Sequence, residues 1–297
     1  MTPKTPWQLE RVIRTSSYWR RHFEANETSL LEIPWEVGPE LTAVESAAVA
    51  RSIQGFQRGE SSDGRRLRRY AMDHSRRTGD IEYVEAIRLF IAEEQRHARD
   101  LGRFLTQSGI PLQRSNGPDR VFRGLRHLLG NLGISISVLL TAEIIAKVYY
   151  AALREATAST VLRTLCTQIL HDERKHVEFQ SEQLGKLQAG RGGVLLAITT
   201  GLRNILFRGA CVVVWFFHRR ALKKASLSFR TFWSWCRREF DESLQITFGI
   251  RDACRYRSDV TVSLGTATSR LDFPVPRESL RLERPTDLFL DPALELG

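Results

Sequence analysis

The chain has 297 residues, of which 42% are hydrophobic, and a formal net charge of +10. This composition excludes a globally disordered protein and is sufficient for one sizeable domain with appendages. None of the four cysteines forms a C-x-x-C pair, and residues 1–26 contain no apolar signal-peptide segment. We therefore predict a mostly helical, reduced, cytoplasmic protein.

Residues 1–40 are predicted to form an N-terminal arm, irregular or partly helical, whose aromatic side chains pack on the body. Residues 41–74 then follow the i, i+3, i+4 spacing of an amphipathic helix. Glu60 continues the apolar stripe of this helix, where a carboxylate needs a partner because an unpaired buried charge is costly. The segment 61–64 is a weak point at which the helix could break.

A second helix is predicted to begin at Asp80, as N-cap, and to run to about residue 107. Its stripe is apolar except for Glu94 and His97, three residues apart. Because three residues are close to one helical turn, both side chains project from the same face.

A second pair of long helices follows a crossover loop at 111–117 and a short helix at 119–130. Residues 133–156 are very apolar, with Glu143 in the middle. A helix capped by Ser159 and ending near residue 187 repeats the Glu-x-x-His spacing in Glu173 and His176.

The rest of the chain is predicted to form an apolar and basic helical extension, 191–247, and an irregular tail, 248–297. Residues 259–264 alternate and could form a short strand. Charges make 194–218 a poor membrane-spanning candidate. Residues 194–244 could lie on a membrane surface, but we favour a helix packed on the bundle or in a homodimer interface.

Two Glu-x-x-His helices, each preceded by a helix with one inward Glu, have the ligand set of a four-helix-bundle di-metal carboxylate site. Four carboxylates and two imidazoles suit two divalent first-row ions, and mixed oxygen and nitrogen ligands favour iron or manganese. Glu94 and Glu173 should bridge the ions. The predicted ligands are Glu60, Glu94, His97, Glu143, Glu173 and His176.

Two acidic residues next to the predicted ligands could either support the histidines or lie on the surface. Asp172 could accept a hydrogen bond from His97, and Glu93 one from His176, or both could be ordinary exposed acids. Cys166 and Ile169 lie on the metal-facing stripe and should line the cavity, whereas His171 should face solvent.

At these residues the chain resembles the ferritin-like di-iron carboxylate superfamily, over residues 41 to about 187. The resemblance implies an all-α protein: a ferritin-like four-helix bundle at 41–190 with additional C-terminal helices and an irregular tail. It also implies an Fe/Fe or Mn/Fe centre that reacts with O2. Ile169 stands where the arylamine N-oxygenases have a seventh, histidine ligand, which argues against that subfamily.

We therefore expect a di-iron oxidase or oxygenase that takes O2, an electron donor protein and an apolar or carrier-bound substrate. One alternative is a ferroxidase, iron-binding or peroxide-protection protein. A tRNA-modifying hydroxylase is another, because arginine clusters such as 65–69 and 76–77 permit nucleic-acid binding.

Overall fold

The computed structural model describes the backbone of residues 13–62, 64–113 and 130–268, and side chains up to Arg257. Within these residues the regular structure is helical. The helices are α1 Ser16–Glu27, α2 Ala43–Glu60, α3 Arg65–Thr78, α4 Ile81–Gln107, α5 Leu132–Glu155, α6 Thr160–Gln188, α7 Gly193–Lys224 and α8 Phe229–Thr268, with a 3-10 turn at Trp35–Val37.

Helices α1, α2, α4, α5 and α6 begin where short polar side chains satisfy one of their first backbone N–H groups. The predicted caps are confirmed: the Asp80 carboxylate accepts from the Tyr83 N–H, and the Ser159 hydroxyl from that of Leu162. Thr42 starts α2 with a reciprocal pair of hydrogen bonds to Glu45. These caps set where α2, α4 and α6 enter the bundle.

The helix predicted at 41–74 breaks at the expected point, because α2 ends at Glu60. Gly64 takes a left-handed conformation, with a φ of +61°, and starts α3. A Cβ at this position would lie 2.5 Å from Cδ1 of Ile91 on α4. Glycine is therefore required twice, by the positive φ and by the close approach of α4.

Helices α2, α4, α5 and α6 form two antiparallel hairpins, α2 with α4 and α5 with α6, which meet between α4 and α6. Their apolar faces make one core, continued by α1, whose buried Phe23 contacts Phe90 of α4 and whose buried Trp19 contacts Phe179 of α6. The predicted arm is thus helical over Ser16–Glu27. Helix α7 lies against α5 and α2.

The predicted irregular tail is wrong over residues 248–268, and so is the predicted strand at 259–264, because α8 runs to Thr268. Up to Arg257, packing supports the helix: Thr247 and Ile250 are buried, and a Cβ at Gly185 would lie 2.5 Å from the Thr247 carbonyl oxygen. Beyond that, extending a formed helix by one residue is far easier than nucleating one. Residues 119–129 and 269–297 lie outside the described residues.

Among the described helices, α5 and α7 are long and apolar enough to cross a membrane by length and composition. In the most apolar stretch of α5, 72% of the residues are buried, as expected for the core helix of a bundle. The corresponding share in α7 is 28%. Neither value by itself shows association with a membrane.

Candidate metal centre

The four bundle helices bring all six predicted ligands to one place. Within the described residues, donor atoms within 4.8 Å of one another form two groups, and both groups contain Glu94 and Glu173. The first group is completed by Glu60 and His97, the second by Glu143 and His176. The structure thus assembles the residues in the predicted arrangement, although metal ligation by them stays a prediction.

Glu173 lies between the two imidazoles. Its Oε1 is 3.6 Å from Nδ1 of His97, and its Oε2 is 3.7 Å from Nδ1 of His176. Glu94 Oε1 lies 3.8 Å from the first of these nitrogens and 2.9 Å from the second. Two donors each about 2.1 Å from one ion, at 90–110°, are roughly 3.0–3.4 Å apart. The four distances between these donors, 2.9–3.8 Å, lie close to that range, so the cluster has room for ions that these residues would hold.

Unsatisfied buried atoms mark the same place. Within the described part of the chain, five atoms of this cluster lack a hydrogen-bond partner: Glu94 Oε1, His97 Nδ1, Glu143 Oε2, Glu173 Oε2 and His176 Nδ1. A buried polar atom left unpaired costs about 1–3 kcal/mol. Because these atoms face one another across the cluster, cations at the centre would satisfy all of them. The residues present fit a di-metal group.

The outward nitrogens of both histidines meet carboxylates. His97 Nε2 lies 2.9 Å from Asp172 Oδ2, and His176 Nε2 lies 2.8 Å from Glu93 Oε2. Such a bond puts the imidazole proton on Nε2 and leaves Nδ1 free to bind an ion. Asp172 and Glu93 are buried, so the alternative of ordinary exposed acids is wrong.

One side chain that the sequence did not single out joins these two carboxylates. The amide nitrogen of Asn26, on α1, donates to Glu93 Oε1 at 2.5 Å and to Asp172 Oδ1 at 2.9 Å. Arg96 also donates to Asp172 Oδ2, at 2.6 Å. Helix α1 therefore supports the centre as well as covering the core. Its aromatic residues predicted contact with the body, but nothing in the pattern pointed to Asn26.

Two ligand carboxylates are held by further buried donors. The Tyr150 hydroxyl donates to Glu60 Oε1 at 2.8 Å, and the Gln180 amide donates to Glu143 Oε1 at 2.9 Å. Glu60 is the last residue of α2, next to the helix break. The hydrogen bond from Tyr150 on α5 therefore orients a carboxylate that stands at a helix end. Burial, followed by the nearby charge of Glu60, raises the pKa of Tyr150, which therefore stays a neutral donor.

Without cations the centre contains more buried negative charge than it can tolerate. Burial, followed by the neighbouring carboxylates, raises the pKa of Glu60 and of Glu173 well above the ordinary value. Burial lowers the pKa of His176, but close contacts with Glu143 and Glu173 outweigh it and raise that pKa. Protonation would offset part of this charge in the metal-free cluster, so metal binding should release protons.

The other predicted positions are distributed as follows. Cys166 and Ile169 are fully buried on α6, and their place beside a substrate stays a prediction. The side chain of His171 is 59% exposed, as expected. Lys147, one turn past Glu143, points away from the centre to an ion pair with Glu239 on α8.

A groove of about 750 Å³ lies along one face of α4. Residues 30–33, 35 and 36 line it together with α4 residues, and Arg96 is part of its wall. Because Arg96 binds Asp172, and Asp172 binds His97, two hydrogen bonds connect the groove to a predicted ligand.

No family model matches the chain, and no curated protein matches it. The solved structures include a similar chain, a variant of an R2-like ligand-binding oxidase with an aerobically reconstituted Mn/Fe cofactor. The two share 14% identity, with a TM-score of 0.52 over 78% of this chain and 94% of the other. The chain has the ferritin-like fold. At this identity the similarity extends to the fold and not to the activity.

In this ferritin-like bundle the two hairpins each supply one Glu and one Glu-x-x-His, and the cluster they form is able to bind two metal ions. Four ionised carboxylates would cancel the charge of two divalent ions. Asp172 and Glu93 add negative charge beside the histidines, and Arg96 offsets part of it.

Proposed function

We propose that this chain is an O2-dependent di-metal oxidoreductase whose centre is held by Glu60, Glu94, His97, Glu143, Glu173 and His176. The observation that supports this most is the sharing of Glu94 and Glu173 between the two donor groups. A single-ion site needs no shared carboxylates. Two ions about one carboxylate apart can together deliver electrons to one O2 molecule, which is the chemistry that the pair supplies when bound.

The metal pair that we propose is Fe/Fe or Mn/Fe. Carboxylate and imidazole ligands without a thiolate suit iron and manganese, and four residues of the chain would hold each ion. The similar solved structure contains a Mn/Fe cofactor, which supports a mixed pair as readily as a di-iron pair.

The surrounding residues would tune the ligands. Asp172 and Glu93 hold the Nε2 protons of the two histidines, which orients each Nδ1 and raises its basicity. Tyr150 donates to one oxygen of Glu60, and Gln180 donates to one oxygen of Glu143. The other oxygen of each carboxylate would bind an ion. The buried aromatic rings of Phe23 and Phe90 pack on His176 and keep water from that side.

The substrate that we propose is apolar, free or bound to a carrier, because buried apolar side chains such as Ile169 enclose the centre. The reaction also needs an electron donor protein. The groove at Arg96 is a suitable approach for it, since the hydrogen bonds through Asp172 lead directly to His97.

Oxygen consumption tests this proposal. The anaerobic, Fe(II)-loaded protein is mixed with O2 and an electron donor, with and without long-chain acyl or aromatic compounds. We expect turnover that such a compound stimulates and that disappears in Glu143→Ala. Glu155→Ala, an exposed position on the same helix, is the control and should keep full activity. O2 uptake that ends once the iron is oxidised would indicate a ferroxidase instead.

A further inference from the structure

Helix α7 has one face in the protein and one face in solvent. Its buried residues include Cys211, Val214 and Phe207, whose ring stacks on that of Phe240 of α8. The opposite face is exposed and apolar. Its large exposed side chains are Val194, Leu195, Ile198, Leu202, Ile205, Val212, Phe216 and Phe217.

This exposed face is unusually long and apolar for a protein surface. Val194 is 78% exposed, Ile205 69% and Phe216 61%. From 194 to 217 the only charged residue on it is Arg208. At 1.5 Å per residue the stripe is about 35 Å long. A contiguous apolar patch of this kind usually marks a site of interaction with a protein or a membrane.

The end of the same helix is strongly basic. Arg219, Arg220, Lys223 and Lys224 are all exposed and directly follow the apolar stripe. The helix Gly193–Lys224 contains no Asp or Glu. An apolar stripe that continues into a cluster of cations, without acids, is complementary to a surface that is apolar inside and anionic at its edge.

We propose that the exposed face of α7 docks the protein on an anionic lipid membrane, with the helix lying in the plane of the membrane surface. The apolar side chains would enter the boundary between headgroups and acyl chains, and the four cations would contact anionic headgroups. The helix does not span the membrane, because its other face is packed on α5 and α2. This inference does not depend on the metal centre.

A second copy of the chain is the other occupant to consider. A two-fold dimer would place this face against the same face of its partner. The cations of both copies would then be enclosed in an interface whose α7 faces supply no acid to pair with them. Anionic headgroups would neutralise the same cations, so charge complementarity favours the membrane over a second copy.

Vesicle co-sedimentation of the full chain tests the proposal. The probe is vesicles of phosphatidylglycerol and phosphatidylcholine in equal parts, with phosphatidylcholine alone as reference. We expect binding to the anionic vesicles only, weakened by salt. Neutralising Arg219, Arg220, Lys223 and Lys224 to Ser should reduce binding by about a hundredfold or more, since each of the four cations near an anionic surface contributes roughly fivefold. The double change Leu202→Ser and Ile205→Ser should also reduce it.

The matched control neutralises four exposed cations of α3, Arg68, Arg69, Arg76 and Arg77, and changes the net charge by the same amount. It should keep most of the binding. Equal loss in this control would overturn the proposal, because overall charge would then explain the result. The proposal would be overturned in favour of a second copy if light scattering showed a wild-type dimer that does not bind vesicles. The double variant Leu202→Ser and Ile205→Ser would then be monomeric. Circular dichroism verifies that each variant is folded.

Discussion

Asp172 on α6 lies 2.9 Å from Nε2 of His97 on α4, and Glu93 on α4 lies 2.8 Å from Nε2 of His176 on α6. Each of the two helices therefore supplies an imidazole and the acid that orients the imidazole of the other. The residue before each Glu of the Glu-x-x-His pair has this role. The arrangement makes the two halves of the centre depend on each other, and it leads directly to a prediction.

Asp172→Asn should weaken metal binding by about 10- to 100-fold, because the amide cannot accept the His97 proton as a carboxylate does and no longer raises the basicity of the imidazole. Competition with a chelator, followed by metal analysis, measures this. Glu85→Gln, an exposed position on α4, is the control and should bind metal normally. Normal affinity in Asp172→Asn would mean that this acid does not orient a ligand.

Asn26→Ala should destabilise the metal-free protein by about 3 kcal/mol, since the amide donates to two buried carboxylates and hydrogen bonds to charged groups contribute roughly 1.5–3 kcal/mol each. Urea unfolding of the metal-free protein provides the value. Glu27→Ala changes the exposed neighbour and should have little effect. A loss below about 1 kcal/mol for Asn26→Ala would show that neither acid relies on this amide.

Gly64→Ala should destabilise the protein by roughly 2–4 kcal/mol. About 1–2 kcal/mol comes from the left-handed backbone, and the rest from the collision with Ile91. Gly79 has a similar positive φ but open space around it, so Gly79→Ala should show the backbone cost alone. Equal losses in the two variants, measured by urea unfolding, would remove the close approach of α4 as a reason for glycine.

The stability of the protein should fall as the pH decreases from about 6.5 to about 4, in part because of His218. Burial lowers the pKa of this histidine to about 4, and its Nδ1 is bonded to the Ser52 hydroxyl. Between these values the unfolded chain binds a proton that the folded chain does not, so acid favours unfolding, by up to about 3 kcal/mol.

His218→Gln should remove that part of the pH dependence, and urea unfolding near pH 7 and near pH 4.5 measures it. His171→Gln, at an exposed histidine, should keep the dependence of the unchanged protein. If His218→Gln loses stability with acid as steeply as the unchanged protein does, carboxylates alone account for the effect.

The cluster of Glu and His side chains could be predicted from the sequence because its members obey local rules. The Glu-x-x-His spacing places both side chains on one helical face, and a Glu inside an apolar stripe, such as Glu143, is too costly without a partner. The contacts of Asp172 and Glu93 with the histidines could be predicted for the same reason, since a residue next to an inward Glu points sideways to a neighbouring helix.

Asn26 could not be predicted, because its partners Glu93 and Asp172 lie 67 and 146 residues away along the chain and nothing local marks it. The extent of α8 was missed because the alternating residues at 259–264 are a weak strand signal, whereas the helix there continues from preceding turns held by packing on Gly185. For residues 194–244 the sequence left packing on the bundle and exposure at a membrane surface as alternatives, since apolar content does not tell which face of α7 finds a partner.

The central claim is that this bundle holds two metal ions between its hairpins. Metal analysis with Mössbauer spectroscopy on the native protein, Glu143→Ala and Glu155→Ala tests it most directly. We predict two ions per chain, Fe/Fe or Mn/Fe, in the native protein and in Glu155→Ala, and loss of at least one ion in Glu143→Ala. A native protein without stoichiometric iron or manganese after loading would contradict the claim.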